Sequence, residues 1–559
     1  MPHKAHAAGS FTLIKPLISP IIHTIPTMKK SIITMALGVL PMLASAQYTF
    51  DALQLSQTEL RGTSRFMSMG GAFGALGGDI SVLNQNPAGI GIYRSSDLGL
   101  TLGVDFNSAK AGGTKVDETK FNFSNVGYVG AIKLDSETMP NLNWGVSYNR
   151  NYSFNRHWRG AAFGIPTSIT NYLADVANSA GVTLADLDPS DGKPFDTRAA
   201  WNQVLAYQNY LLNPNAGGTL DGLGYDGVVG DAEFEVNERG HSDEFSIALG
   251  GNLANTLYWG FSVGITDLLY EYNRYYGEVL DGTMVYDKPN DANAKLTDGN
   301  AAFGFSDWSR TTGTGYSFKL GAILKPVNAL RIGLAFHTPT YYDMKDTYQS
   351  VVASEFVPDK ADGYVLDDYY TPTASSWYKL RTPWRFIGSL ATVIGTTGIL
   401  SADYEYVSNT NILLLDDHNN EFAGAKQEAK DFLAGSHIMR VGGELRLTPN
   451  WSLRAGYSYQ TSNASQDVRD YGGAHNPDGS IYPVQVGGNS TAYAYDRKVQ
   501  HITAGFGYRY KNVYFDMAYV HKYRQSNYEA FPIDNDGNNV LWDVKEHNNR
   551  VTATLGFRF

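Results

Sequence analysis

Residues 61–93, RGTSRFMSMGGAFGALGGDISVLNQNPAGIGIY, are the stretch on which the reading of this chain turns. Gly70, Gly71, Gly74, Gly77, Gly78, Gly89 and Gly91 leave little side chain to fill space. Backbones can therefore pack closely there, and positive φ costs little. The stretch closes on Asn86-Pro87-Ala88-Gly89, where Pro87 sets φ and Gly89 permits a sharp reversal. From Leu98 to Phe559 the chain then alternates apolar and polar residues with period two. This contrast predicts an all-β protein, a transmembrane antiparallel β-barrel of about 14 strands with the small-residue segment as an N-terminal hatch in its lumen.

The first alternating run carries Leu98, Leu100, Leu102, Val104 and Phe106 on one face and Gly99, Thr101, Gly103 and Asp105 on the other. A run of about ten such residues matches one tilted barrel strand. Thirteen more follow, among them Leu257 to Ile265, Leu330 to Phe336, Trp451 to Tyr457 and Val551 to Phe559. Tight turns such as Ala254-Asn255-Thr256 and Thr448-Pro449-Asn450 alternate with long polar connections near 155–240, 275–311, 343–378, 409–436, 461–495 and 525–543. Short turns on one side and long loops on the other are the habit of even-stranded outer-membrane barrels. A soluble sandwich would bury one dry face. Here the face opposite the apolar one bears Asn143, Ser147, Asn149, Asp403, Glu405, Glu444, Arg446, Arg454 and Asp516, too many charges for such a core.

The 559 residues include no cysteine, which excludes a disulfide framework and thiolate metal sites. A net charge of -11 without a basic cluster argues against nucleic acid as a partner. Met28 to Ala46, MKKSIITMALGVLPMLASA, has the basic start, apolar core and small-residue end of a secretory signal, with Met28 the expected start of translation. The expected organisation is an extension and signal over 1–46, a hatch over 47–95 and a barrel over 96–559. No later apolar run reaches the roughly 20 residues of a transmembrane helix.

Within the longest connection, Ile165, Ile169, Tyr172, Leu173 and Val176 recur at helical spacing, as do Trp201, Val204, Leu205, Gln208, Leu211 and Leu212. Two amphipathic helices outside the bilayer would either form a greasy landing groove or pack on each other. The lumen charges, Arg440 among them, would either guide a polar head group or pair with one another and anchor the plug. Tyr148, Trp259, Trp384, Trp451 and Tyr519 read as interfacial girdle.

Gly74 to Gly91 with its Asn86-Pro87-Ala88 turn, LRIGLAFHTPTYY over 330–342, HIMRVGGELRLTPNWSLRAGYSY over 437–459 and the C-terminal VTATLGFRF carry a resemblance. The chain resembles the long-chain fatty acid transporter family of outer-membrane hydrophobic-compound channels, which includes toluene uptake channels. The resemblance implies a fourteen-stranded barrel in the outer membrane and a monomer among lipid and lipopolysaccharide. It implies passive uptake of a hydrophobic small molecule, with no cofactor. Asn86, Pro87, Ala88 and Gly89 would form the hatch turn, and Gln47, Tyr48 and Phe50 would lie near a ligand pocket. Capture would fall to loop-helix residues such as Ile169, Leu173, Trp201 and Leu205. The N-terminal segment and the longer loops depart from the fatty-acid carriers, which leaves the ligand open. Alternatives are a protein-interaction barrel of a Bacteroidetes-type secretion system and haem uptake.

No enzyme or metal site is expected. Gly260-Phe261-Ser262-Val263-Gly264 has a hydrolase pattern, but its serine falls mid-strand, whereas the motif needs a strand-to-helix elbow. A barrel hydrolase with its serine at a rim is a further rival. Asp534-Asn535-Asp536-Gly537 hints at calcium, yet Asn539 stands where glycine is wanted and Lys545 where a bidentate glutamate belongs.

Overall fold

A computed structural model describes residues 49–559 apart from 225–227, 289–293, 485, 487–489 and 535–536. Gln47, Tyr48 and the signal segment lie outside the described residues, as do Asn535 and Asp536.

Fourteen antiparallel strands close on themselves. They are β1 (Asp97–Ala111), β2 (Thr114–Lys133), β3 (Asn141–Ser153), β4 (Val229–Leu253), β5 (Leu257–Tyr286), β6 (Leu296–Val327) and β7 (Leu330–His337). Then come β8 (Arg385–Ile394), β9 (Gly398–Val407), β10 (Ser436–Arg446), β11 (Trp451–Thr461), β12 (Tyr493–Tyr510), β13 (Val513–Glu529) and β14 (Leu541–Arg558). Each pairs with its neighbour, and β1 closes the ring by pairing with β14 from Asp97↔Arg558 to Lys110↔Lys545. Closure leaves no sheet edge in the bilayer, so every strand finds partners on both sides.

Alternation sets the two faces. Leu98, Leu100, Phe261, Leu334, Leu390, Val441, Leu453 and Leu555 are exposed on the outside, where lipid meets them. Thr101, Asn143, Ser246, Ser262, Asp403 and Thr554 point inward and are buried. Ser262 thus stands mid-strand in the lumen wall, which rules out a nucleophile elbow there.

The connections differ from the sequence expectation. Much of what reads as polar loop is strand. β5 and β6 are 30 and 32 residues long, several times what a tilted crossing requires, and stay paired out to Tyr286↔Leu296. Above the short β7, the segment Tyr341–Pro358 takes over the edge of β6, and Ala374–Arg381 pairs with it in turn. Period-two alternation weakens there because strands beyond the bilayer no longer face lipid on one side.

Among the helices are α1 (Thr49–Leu55), α2 (Ser64–Ser68), α3 (Val82–Gln85), α4 (Ile169–Ser179) and α5 (Trp201–Gln208). The second and third, with a 3-10 turn over Pro87–Ile92, make up the hatch proper, and α1 precedes it in a cluster of its own. The last two lie in the projecting part. Ile165 precedes α4, and Leu211 and Leu212 follow α5, so both helices are shorter than their apolar patterns suggest.

Candidate functional site

The hatch owes its fit to small residues. No residue from 60 to 93 is exposed. Gly70 and Gly71 take φ of 63° and 76°, a turn that a side chain would strain. Phe66, Met67, Met69, Phe73, Ile80, Leu83 and Ile90 form its own apolar core. The wall meets this core with glycine. Gly250, Gly260 and Gly321 face one another across neighbouring strands on the inner surface, as do Gly442 and Gly456. A Cβ at Gly260 would come within 3 Å of the Pro87 carbonyl, one at Gly456 within 3 Å of Met69 and Gly70, and one at Gly333 within 3 Å of Gly74. The hatch therefore lies backbone against backbone on the barrel.

Polar pegs surround it. The Ser64 N–H donates to Thr554 Oγ1 (2.7 Å), Gly74 N–H to Asp403 Oδ2 (2.9 Å), Asn143 Nδ2 to the Ile90 carbonyl (2.7 Å) and Arg331 Nη1 to the Leu76 carbonyl (2.6 Å). Asn86 ties the turn through both ends of its amide. Its Oδ1 accepts from Ala88 N–H (3.1 Å), while Nδ2 donates to the carbonyls of Gly74 (2.6 Å) and Leu334 (3.3 Å). Pro87 occupies the first position of the 3-10 turn, where its missing N–H costs nothing, and Ala88 and Gly89 are buried against the wall.

The lumen charges pair and hold the plug. Glu444 bridges Arg454 (2.6 Å) and Arg65 of the hatch (3.0 Å), and Arg454 also meets Asp516 (2.5 Å). Glu405 takes Arg385 (3.1 Å) and Arg440 (2.6 Å). Glu59 binds Arg61 (2.8 Å), Arg550 (3.3 Å) and Lys522, and Arg550 reaches on to Asp105 (2.5 Å). Arg446 does not share in this, being exposed at the turn end of β10.

Above the hatch, α1 lies in an aromatic chamber at the barrel mouth. Phe50 rests against Tyr493 and Tyr495, with ring centroids 5.1 and 6.0 Å away. Leu53 and Leu55 join Phe154, Tyr270, Tyr342, Tyr378 and Phe432 in the same cluster. The Thr49 hydroxyl donates to Glu428 Oε2 (3.1 Å). Between α1 and the hatch is a polar cavity of about 130 Å³.

The loop helices pack on each other. Ile169, Leu173 and Leu205 are buried in one core with the projecting strands, and Trp201, half-buried, donates from Nε1 to the Phe195 carbonyl (3.0 Å). Ile169 and Leu173 also line a cavity of only about 20 Å³, room for about one water. Glu278, in the part of β5 that projects clear of the bilayer, receives the Ile169 N–H (2.8 Å) and the Ser168 and Tyr276 hydroxyls. Burial pushes its carboxyl up to about 7, against the pull of those hydrogen bonds. The folded protein keeps a proton that the unfolded chain releases, so the docking of α4 loses stability as pH rises from about 4.5 to about 7. Proteolysis within residues 165–224 is expected to accelerate across that window, and Glu278→Gln to flatten the dependence.

Of the sequence-derived site residues, Asn86, Pro87, Ala88 and Gly89 come together on the inner wall and Phe50 in the chamber at the mouth. Ile169, Leu173, Trp201 and Leu205 belong to the separate projecting core. Sequence reasoning missed the inward glycines of the wall, although parity within each strand marks them. It also missed Arg61, Glu59 and Arg550, a cluster closed by Arg550 and Lys522 from the far end of the chain.

Fold and site together define an outer-membrane β-barrel closed by an internal plug. No protein-family model matches the chain, and no curated protein does. Among solved structures it is similar to a Pseudomonas aeruginosa FadL homologue, at 12% identity and TM-score 0.49, over 90% of this chain and 100% of that one. It is also similar to the Pseudomonas putida toluene transporter TodX (13%, TM-score 0.43, 90% and 99%) and the Ralstonia pickettii toluene transporter TbuX (14%, TM-score 0.39, 90% and 99%).

Proposed function

We propose that the protein admits hydrophobic small molecules passively across the outer membrane. The observation that carries this reading is the aromatic chamber at the barrel mouth, walled by Tyr270, Tyr342, Tyr378, Tyr493 and Tyr495 and occupied by α1, whose place an apolar ligand would take. An apolar ligand entering such a chamber gains about 0.8 kcal/mol per CH2 group buried. In this reading Gln47, Tyr48 and Phe50 border the ligand, and Asn86, Pro87, Ala88 and Gly89 form the turn on which the hatch gives way. Ile169, Leu173, Trp201 and Leu205 shape the outer approach.

Pro87→Ala tests the hatch role. It frees the φ that proline restricts while leaving the Asn86 hydrogen bonds in place, so the barrel should assemble normally. Uptake of a hydrophobic dye by cells carrying the variant should change several-fold, and unchanged kinetics would remove Pro87 from the pathway.

A second reading, a protein partner held by the projecting strands, is favoured by Phe163 and Val365, which are 81% and 70% exposed beyond the barrel. A stoichiometric protein co-purifying with the barrel, lost on Phe163→Ser and Val365→Ser, would support it.

A further inference from the structure

The polar cavity between α1 and the hatch holds donors that the protein does not use. Arg61, only 4% exposed, gives Nε to Glu59 and Nη2 to Asp105 (3.2 Å), but its buried Nη1 has no protein partner. Arg440 gives Nη2 to Glu405, and its buried Nη1 is likewise unpartnered. Asn84 Nδ2 and the Ser317 hydroxyl are buried in the same wall without partners. Gln85 contributes an unpartnered acceptor, Oε1, because its Nε2 is committed to the Gly71 carbonyl (2.7 Å) and Asp403 (3.1 Å).

Charge points the same way. Four cations line the cavity, Arg61, Lys319, Arg385 and Arg440, against three carboxylates, Glu59, Glu244 and Glu405. The space, about 130 Å³, is that of about four waters and is large enough for a small tetrahedral anion. Guanidinium groups are the side chains best suited to phosphate oxygens, which they grip through paired N–H donors.

We infer that this cavity is an oxyanion site of the phosphate class, in which Arg61 of the hatch and Arg440 of the wall each offer a free guanidinium N–H to one anion. Asn84 supplies a third donor, and Gln85 Oε1 accepts from the protonated oxygen of a hydrogen phosphate. The bound anion ties hatch to wall. The site adjoins the apolar chamber at Leu55 and Tyr342 but does not depend on its use.

The test is calorimetric titration of the purified barrel with inorganic phosphate and, separately, with dodecyl phosphate. Saturable binding of inorganic phosphate identifies a free anion as occupant. Binding of dodecyl phosphate alone identifies a lipid or ligand head group. In either case Arg440→Lys, which keeps the charge facing Glu405, should weaken binding at least tenfold, and Asn84→Asp, which adds a negative charge, should abolish it. Phosphate should also slow hydrogen exchange at residues 57–61. Failure of both titrants to bind, or affinities unchanged in the two variants, overturns the assignment and leaves a water-filled cavity. Phe50→Ala, which alters only the apolar chamber, should leave phosphate binding unchanged.

Discussion

Gly260→Val is expected to unseat the hatch while the barrel still closes. The new side chain would stand where the Pro87 carbonyl lies, within 3 Å of backbone atoms that have no rotamer by which to yield. Overpacking in a well-packed interior costs about 1–3 kcal/mol, and more where the obstacle is main chain. Because Gly260 sits between Gly250 and Gly321 on the inner surface, the strand ladder itself has no reason to break. Planar-bilayer recordings should show a conductance absent from the parent protein, and added protease should cut between residues 61 and 93. Gly388→Val is the control, since a Cβ there meets nothing within 4 Å and the barrel should stay closed. A closed, protease-resistant Gly260→Val barrel would show that the hatch does not bear on this part of the wall.

Arg550→Met should be the most damaging single change to stability. Its guanidinium, 2% exposed, meets Asp105 through Nε, the Leu60 carbonyl through Nη1 (3.0 Å) and Glu59 through Nη2. Removing it leaves two buried carboxylates short of a counter-charge, and losing one partner of a buried pair typically costs about 3–5 kcal/mol. Methionine fills most of the volume, so the loss reads as charge and not as cavity. Urea unfolding of the purified barrel should shift by that amount, and Asp105→Asn added to Arg550→Met should recover part of it. Lys115→Ala, which breaks an exposed pair with Asp117, should leave the transition where it was. An Arg550→Met barrel as stable as the parent would mean that Asp105 and Glu59 are satisfied without it.

Much of the architecture is legible in the residues themselves. The period-two runs from Leu98 to Phe106 and from Val551 to Phe559 mark their lipid faces because only one side of a barrel strand meets hydrocarbon. The same rule holds through β5 as far as Ile265, then fades where the strand leaves the bilayer and is packed differently. The connections near 275–311 and 343–378 read as loop for that reason. The amphipathic patterns of α4 and α5 likewise announce helices but not what covers them, since an apolar stripe is equally suited to a ligand and to a neighbouring strand. The lumen charges posed a choice between guiding a head group and pairing. Glu405 and Glu444 are each held by two guanidinium groups, and Arg65 brings the hatch into the second of these clusters.

By itself the amino-acid sequence determined which face of each strand meets lipid, how many strands cross, and that a bulk-free segment precedes them. Those properties follow from spacing between near neighbours, which a strand's geometry converts directly into a face. Only the tertiary structure decided what the plug touches. Gly260 meets Pro87, and Arg550 meets Glu59 and Asp105, because closing the ring brings the last strand beside the first and the hatch inside both. Contacts between residues so far apart along the chain depend on ring size and strand register, and no local pattern encodes them.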